Sequence, residues 1–156
     1  MEKTNVMRIF DKEGVDYIPF EYDNTITDGV SVAAALGEEA ECVSKTLVTV
    51  GNDNKNYVFV IPVAEKLDLK KAARAAGVKN IEMIKQKELF PLTGYIHGGC
   101  SPIGMKKQFP TVIDETAVLF DYFYVSAGKV GKQVRVSPNE IVRLIDATFA
   151  DLTFNL

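Results

Sequence analysis

The stretch "SKTLVTVGNDNKNYVFVIPV", residues 44–63, decides the fold class. Two runs rich in β-branched and aromatic residues, "SKTLVTVG" and "NYVFVIPV", flank the polar "NDNKN". Runs of this composition read as strands, and a short Asn/Asp-rich break between them reads as a hairpin turn. Around this hairpin, helix and strand patterns alternate along the whole chain, with no internal repeat, low-complexity segment or linker. The chain therefore reads as one α+β domain over residues 1–156, with a mixed or mostly antiparallel sheet and flanking helices.

Upstream, "TNVMRIFDKEG" predicts a helix capped by Thr4, striped by Val6, Ile9 and Phe10, and ended by Gly14. "YIPFEY" reads as a strand that Pro19 confines to an edge or bulge. "SVAAALG" predicts a short helix between a Ser31 cap and Gly37. Downstream, "DLKKAARAAG" is a helix between Asp68 and Gly77, "IEMI" a short strand, and "KQKELF" a helix that stops before Pro91. "TVIDE", "YFYVSAG" and "QVRV" read as strands. The final helix, "SPNEIVRLIDAT", carries Ser137 as cap, Pro138 at its first position and Glu140 to complete a capping box.

The 156 residues suffice to bury a core, and 47% hydrophobic with 25% charged residues is ordinary for a globular protein. No apolar run approaches the 18 or so residues of a membrane helix. The N-terminus lacks a secretory pattern, so a cytoplasmic setting is expected, with Cys42 and Cys100 reduced. Two cysteines and one histidine cannot build a four-ligand structural zinc site without carboxylates, and no cofactor is called for. The net charge of −3 and pI near 5.2 exclude a protein that coats nucleic acid by bulk charge. Local basic groups remain, among them Lys70, Lys71 and Arg74 on one helix, and the pair Lys106–Lys107.

Three features could carry chemistry. "GYIHGGCSPIGMKK", residues 94–107, holds the only histidine, His97, and Cys100. A Cys–His nucleophile needs both groups in hydrogen-bond reach, whereas residues three apart on extended chain point to opposite faces. A small buried Cys100 and a loop His97 is the favoured alternative. The glycines of this loop permit close approach to the main chain, so N–H groups from Gly98 to Ser101 could line an anion or oxyanion pocket. A tight structural connection fits equally. The loop has neither a Walker pattern nor the dinucleotide fingerprint. "YVSAGKVG" is a second small-residue loop, and two such loops suggest two walls of a cleft. Lys45, at the start of an apolar strand, either faces a wet or ligand-filled cavity or stands on an exposed edge.

In order, "FEY", "SKTLV", "GYIHGGCSPIGMKK" and "VSAGKVG" make a pattern: K-T-L, then G-Y-x-x-G-G-x-S-P-x-G, then V-S-x-G-K. The chain thereby resembles the YbaK/EbsC-like aminoacyl-tRNA deacylases, relatives of the editing domain of some bacterial prolyl-tRNA synthetases. The resemblance runs over nearly the whole chain. It implies a barrel-like sheet and hydrolysis of mischarged Cys-tRNA(Pro), extending to Cys-tRNA(Cys), with the thiol of the bound cysteine attacking its own ester. It implies Lys45 as the catalytic residue. It places Tyr22, Thr46, Gly98, Gly99, Ser101, Pro102, Gly104, Ser126, Ala127, Gly128 and Gln133 against the substrate. His97 and Cys100 fall at unfixed positions of the pattern. Ser44 stands where many relatives carry an aromatic residue, and Gln133 where some carry an acid. The implied partners are the acceptor end of tRNA and prolyl-tRNA synthetase, with no metal. The alternatives are a deacylase for another amino acid, such as alanine, and a non-catalytic regulatory or tRNA-binding protein on the same fold.

Overall fold

The hairpin is the centre of the molecule. In a computed structural model, which describes residues 2–154, β2 (Ser44–Gly51) and β3 (Asn56–Pro62) pair antiparallel, with Lys45 opposite Ile61 and Leu47 opposite Phe59. β3 is apolar throughout because both its faces are covered. Val58 and Val60 enter one core cluster, and Phe59 and Ile61 enter another. Continuous apolar runs mark strands buried on both sides.

Around the hairpin, β4 (Ile81–Met83) pairs antiparallel with the far end of β2, over Thr49–Gly51. β5 (Thr111–Asp114) pairs parallel with β3, and β8 (Thr148–Ala150) parallel with β5, giving the order β4-β2-β3-β5-β8. A second sheet has the order β1-β7-β6, built from β1 (Tyr17–Glu21), β7 (Lys132–Val136) and β6 (Phe123–Ser126), all antiparallel. Pro19 does lie on an edge strand, where its missing N–H interrupts no ladder on the open side. The five-stranded sheet is mixed and the three-stranded sheet antiparallel, within the expectation. Neither closes on itself, and the barrel-like character comes from one parallel bridge between them, Val43 with Tyr124.

The largest core fills the space between the sheets. It takes Val6, Met7 and Phe10 from α1 (Asn5–Glu13), Val125 and Val134 from the three-stranded sheet, and Ile141 from α5 (Pro138–Ile145). α3 (Leu69–Ala76) covers the other face of the hairpin through Ala72 and Ala73, and α2 (Gly29–Leu36) covers a third cluster with Cys42, Val43 and Val63. Thr4 and Asp68 cap α1 and α3 as their positions predict.

Four details differ from the sequence-based expectation. α2 starts earlier, because Asp28 rather than Ser31 is its cap and accepts from the Ser31 amide at 3.1 Å. α4 (Gln86–Thr93) runs through Pro91; the carbonyl that loses its partner is that of exposed Lys87, which water can satisfy. Ser137 and Pro138 start α5, but no side-chain cap forms, because the Glu140 carboxylate pairs with Arg143 Nε at 2.7 Å instead. Finally, β8 follows α5 where the pattern offered only a helix end. Its register against β5 is set by Asp114, buried and accepting from the Leu152 amide at 3.0 Å.

Candidate functional site

The site follows from a gap in the hydrogen bonding of β2. The Val43 carbonyl accepts from Val63 on the β3 side, while the Val48 carbonyl accepts from Ile84 on the β4 side. Strand alternation then aims the N–H and C=O of Thr46 away from β3. On that side β4 pairs only from Thr49 onward, and the bridge to β6 is at Val43. The edge of β2 between them is open, and a cavity of about 250 Å³ occupies the opening. That volume suits an amino-acid-sized group, being below the roughly 300 Å³ at which pockets for larger ligands begin.

Lys45, Thr46, Tyr22, Gly98, Ser126 and Gln133 all line this cavity. The chain brings them together from β2, the segment after β1, the glycine loop, and the paired strands β6 and β7, where Ser126 sits opposite Gln133. Lys45 is half-buried and makes no hydrogen bond or ion pair among the described residues. Burial, the largest influence, lowers its pKa below the ordinary lysine value, partly offset by the nearby Glu65 carboxylate. Gln133 is buried at 6% exposure, and its Oε1 has no hydrogen-bond donor among the described residues. An orphaned buried acceptor costs stability unless something in the cavity donates to it. Ser126 Oγ accepts from the Gly128 amide at 3.1 Å, which leaves its O–H to donate elsewhere.

The remaining sequence-predicted residues lie behind the wall rather than on it. Ser101 is fully buried, and its Oγ accepts from the Ile103 amide at 3.3 Å. Pro102 and Ala127 are buried beside it. A Cβ on Gly99 would meet the Val130 amide nitrogen at 3.1 Å and Lys129 main chain at 3.3 Å, so this glycine lets the two small-residue loops touch. Gly104, at φ +79°, and Gly128, at φ +94°, both make room for Tyr95, whose hydroxyl donates to the Ile103 carbonyl. Tyr95 thus pins both loops to the core.

His97 and Cys100 also line the cavity, and no hydrogen bond joins them among the described residues. Burial pushes the Cys100 thiol up to about 12, so it is neutral near pH 7 and a poor nucleophile. Sequence reasoning missed Asp28, Gly29, Val32 and Leu89, which also line the cavity, together with Thr27, Val43, Leu47 and Val63. Asp28 had a signal, an acid three residues before a helix-starting serine, but the serine drew the cap assignment. Among the described residues, no group of three or more His, Cys, Asp or Glu is placed to hold a metal ion, and no helix is long and apolar enough to cross a membrane.

Chemically, the lining offers the Lys45 cation, the Asp28 carboxylate at the cap of α2 and several main-chain and side-chain hydrogen-bonding groups, with no hydrogen-bonded nucleophile–base pair among the described residues. This is an α+β domain with a small, partly polar cleft. Residues 24–144 match the aminoacyl-tRNA editing domain family, and the chain belongs to that family. It is 47% identical, over 97% of this chain and 94% of the relative, to a protein of Enterococcus faecalis named "Putative Cys-tRNA(Pro)/Cys-tRNA(Cys) deacylase EbsC". Among solved structures, it resembles a "putative trans-editing enzyme for prolyl tRNA synthetase" (25% identity, TM-score 0.85, covering 99% of this chain and 100% of that one). The fold is shared as well with "hypothetical protein APE2540" (24% identity, TM-score 0.89, covering 97% and 100%).

Proposed function

We propose that the chain acts in the cytoplasm as a single editing domain that removes cysteine wrongly attached to tRNA(Pro), and also acts on Cys-tRNA(Cys). The observation that carries this reading is Lys45, a half-buried cation whose ammonium makes no hydrogen bond or ion pair among the described residues, set in the wall of an amino-acid-sized cavity. Its ammonium meets the ester carbonyl and stabilises the oxyanion that develops there. The unpaired Gln133 Oε1 accepts from the substrate amine, and the Thr46 main chain and Ser126 hydroxyl fix the orientation. The cavity supplies no nucleophile, since Cys100 stays protonated. The substrate thiol supplies it. Its sulfur bonds to the carbonyl carbon, the bond to the ribose oxygen breaks, and the thiol proton ends on that oxygen. The products are tRNA and a cyclic thiolactone, which water opens to cysteine.

The test is a panel of tRNA(Pro) charged with cysteine, alanine or serine, with thiolactone detected directly. Cleavage of Cys-tRNA(Pro) with thiolactone release supports the reading. Cleavage of Ala-tRNA(Pro) at a similar rate overturns it, because alanine has no thiol and needs an activated water. The acidic net charge of −3 favours a partner that selects the tRNA, and prolyl-tRNA synthetase is that partner in this reading. A pull-down in the presence of tRNA that fails to retain the synthetase refutes the partnership.

A further inference from the structure

α4 and the glycine loop form one rim of the cavity, through Leu89, His97 and Gly98. Residues 85–107 hold four lysines and one glutamate, a net +3, in a chain of −3, so the remaining residues carry −6. The single acid, Glu88, is exposed and folds back onto its own helix start, where its Oε1 accepts from the Lys85 amide at 3.2 Å. None of Lys85, Lys87, Lys106 and Lys107 makes an ion pair among the described residues, and all four are exposed.

An aromatic ring lies within this basic surface. Phe90 is 56% exposed on α4, three residues after Lys87 and therefore on the same helix face. Lys106 packs along that face. Its amide donates to the Thr93 carbonyl, its stem covers Gly94, and its ammonium stands 5.0 Å from the centre of the Phe90 ring. Ile96, next to His97, is 58% exposed beside them. An exposed phenyl ring flanked by unpaired lysines suits a strand that carries both phosphates and unstacked bases.

We propose that Lys87, Phe90 and Lys106 are the seat of the single-stranded 3′ end of the RNA, with the two lysines on phosphates and a base on the Phe90 ring. The proposal rests on the editing reading, because the seat lies on the rim of the cavity that would take the esterified amino acid. It also gives the acidic chain a local attraction for RNA at the mouth of the cavity.

The test measures deacylated tRNA binding to the intact protein over a range of salt concentrations. Removing both charges in Lys87→Ala/Lys106→Ala should flatten the dependence of log K on log salt by about 1.4, near 0.7 for each lost phosphate contact on a single strand. Phe90→Ala should weaken binding roughly tenfold with the salt slope unchanged. Lys70→Ala/Arg74→Ala, which removes the same charge from α3, outside the cavity lining, should leave the slope as it is. An unchanged slope in the first variant, an equal loss in the α3 variant, or no tRNA binding by the wild type each overturns the proposal. Hydrolysis separates it from the editing reading. The double lysine variant should raise KM for Cys-tRNA with kcat kept, and cleave the cysteine ester of adenosine alone at the wild-type rate. A wild type that binds tRNA in this pattern and cleaves no ester refutes the editing reading and leaves the RNA seat standing.

Discussion

Lys45→Met isolates the proposed chemistry from the fold. Methionine keeps the apolar stem and deletes the ammonium. Because that ammonium has no hydrogen bond or ion pair among the described residues, the folded chain loses no contact to it. The transition state loses a great deal. A cation about 4 Å from a developing oxyanion, in surroundings of intermediate polarity, interacts by roughly 4 kcal/mol. Loss of one preorganised donor at such a centre lowers kcat by about 100- to 1,000-fold. The assay pairs kcat on Cys-tRNA(Pro) with thermal unfolding of the same preparation.

The pH dependence sharpens this test. Burial lowers the Lys45 pKa in the folded chain below the 10.5 of an ordinary lysine. Between those two values the unfolded chain binds more protons, so stability rises with pH there. Below the lowered folded-state value both states are protonated, and the folded state carries the cost of the desolvated charge. Lys45→Met removes that cost and also the rise at alkaline pH. Its melting temperature at neutral pH should match or exceed that of the wild type. Retained hydrolysis, or a melting temperature several degrees lower, would refute the assignment of Lys45 to the site rather than to the core.

Three further outcomes follow from the same geometry. Gln133→Leu should stabilise the fold by about 1 kcal/mol, since it removes an unpaired buried acceptor, while hydrolysis falls about tenfold; a loss of stability would show that the amide is already satisfied. Cys100→Ala and His97→Ala should each keep activity within about threefold of wild type, and iodoacetamide should label the native protein slowly at neutral pH, because the thiols of Cys42 and Cys100 are pushed up to about 11 and about 12. Gly99→Ala should destabilise the fold by about 1–3 kcal/mol in chemical denaturation, because its Cβ meets the main chain of Val130 and Lys129, which has no rotamer with which to yield.

The elements were legible because each rests on a local rule. The β-branched runs at 44–51 and 56–62 read as a hairpin, and Thr4, Asp68, Gly14 and Gly77 bracket their helices as those residue types do. What was not legible is what depends on distant chain. β8 has three residues, and its ladder exists because β5 offers an edge and Asp114 ties down Leu152. The glycine loop shows the same limit. Its composition suggests close approach but does not say to what. Gly98 meets the cavity, whereas Gly99 meets the other small-residue loop and Gly104 meets Tyr95. The motif therefore includes residues that face the cavity and residues that hold the wall in place.

The cavity itself has no sequence signature, because it is an interruption in pairing. β2 is a regular strand along its whole length against β3, and the opening exists because β4 pairs only with its far end and the bridge to β6 falls at Val43, just before β2 begins. That origin bears on specificity. A gap bounded by main chain is fixed in width, and a fixed apolar pocket separates ligands that differ by one small group only by about 10- to 200-fold. Cysteine, alanine and serine would all enter a site of about 250 Å³. Discrimination must then come from the chemistry after entry. In the proposed reading, a wall whose described residues form no nucleophile–base pair accelerates only a substrate that carries its own nucleophile. In this reading Lys45 sets the rate, and the bound thiol decides which ester is cleaved.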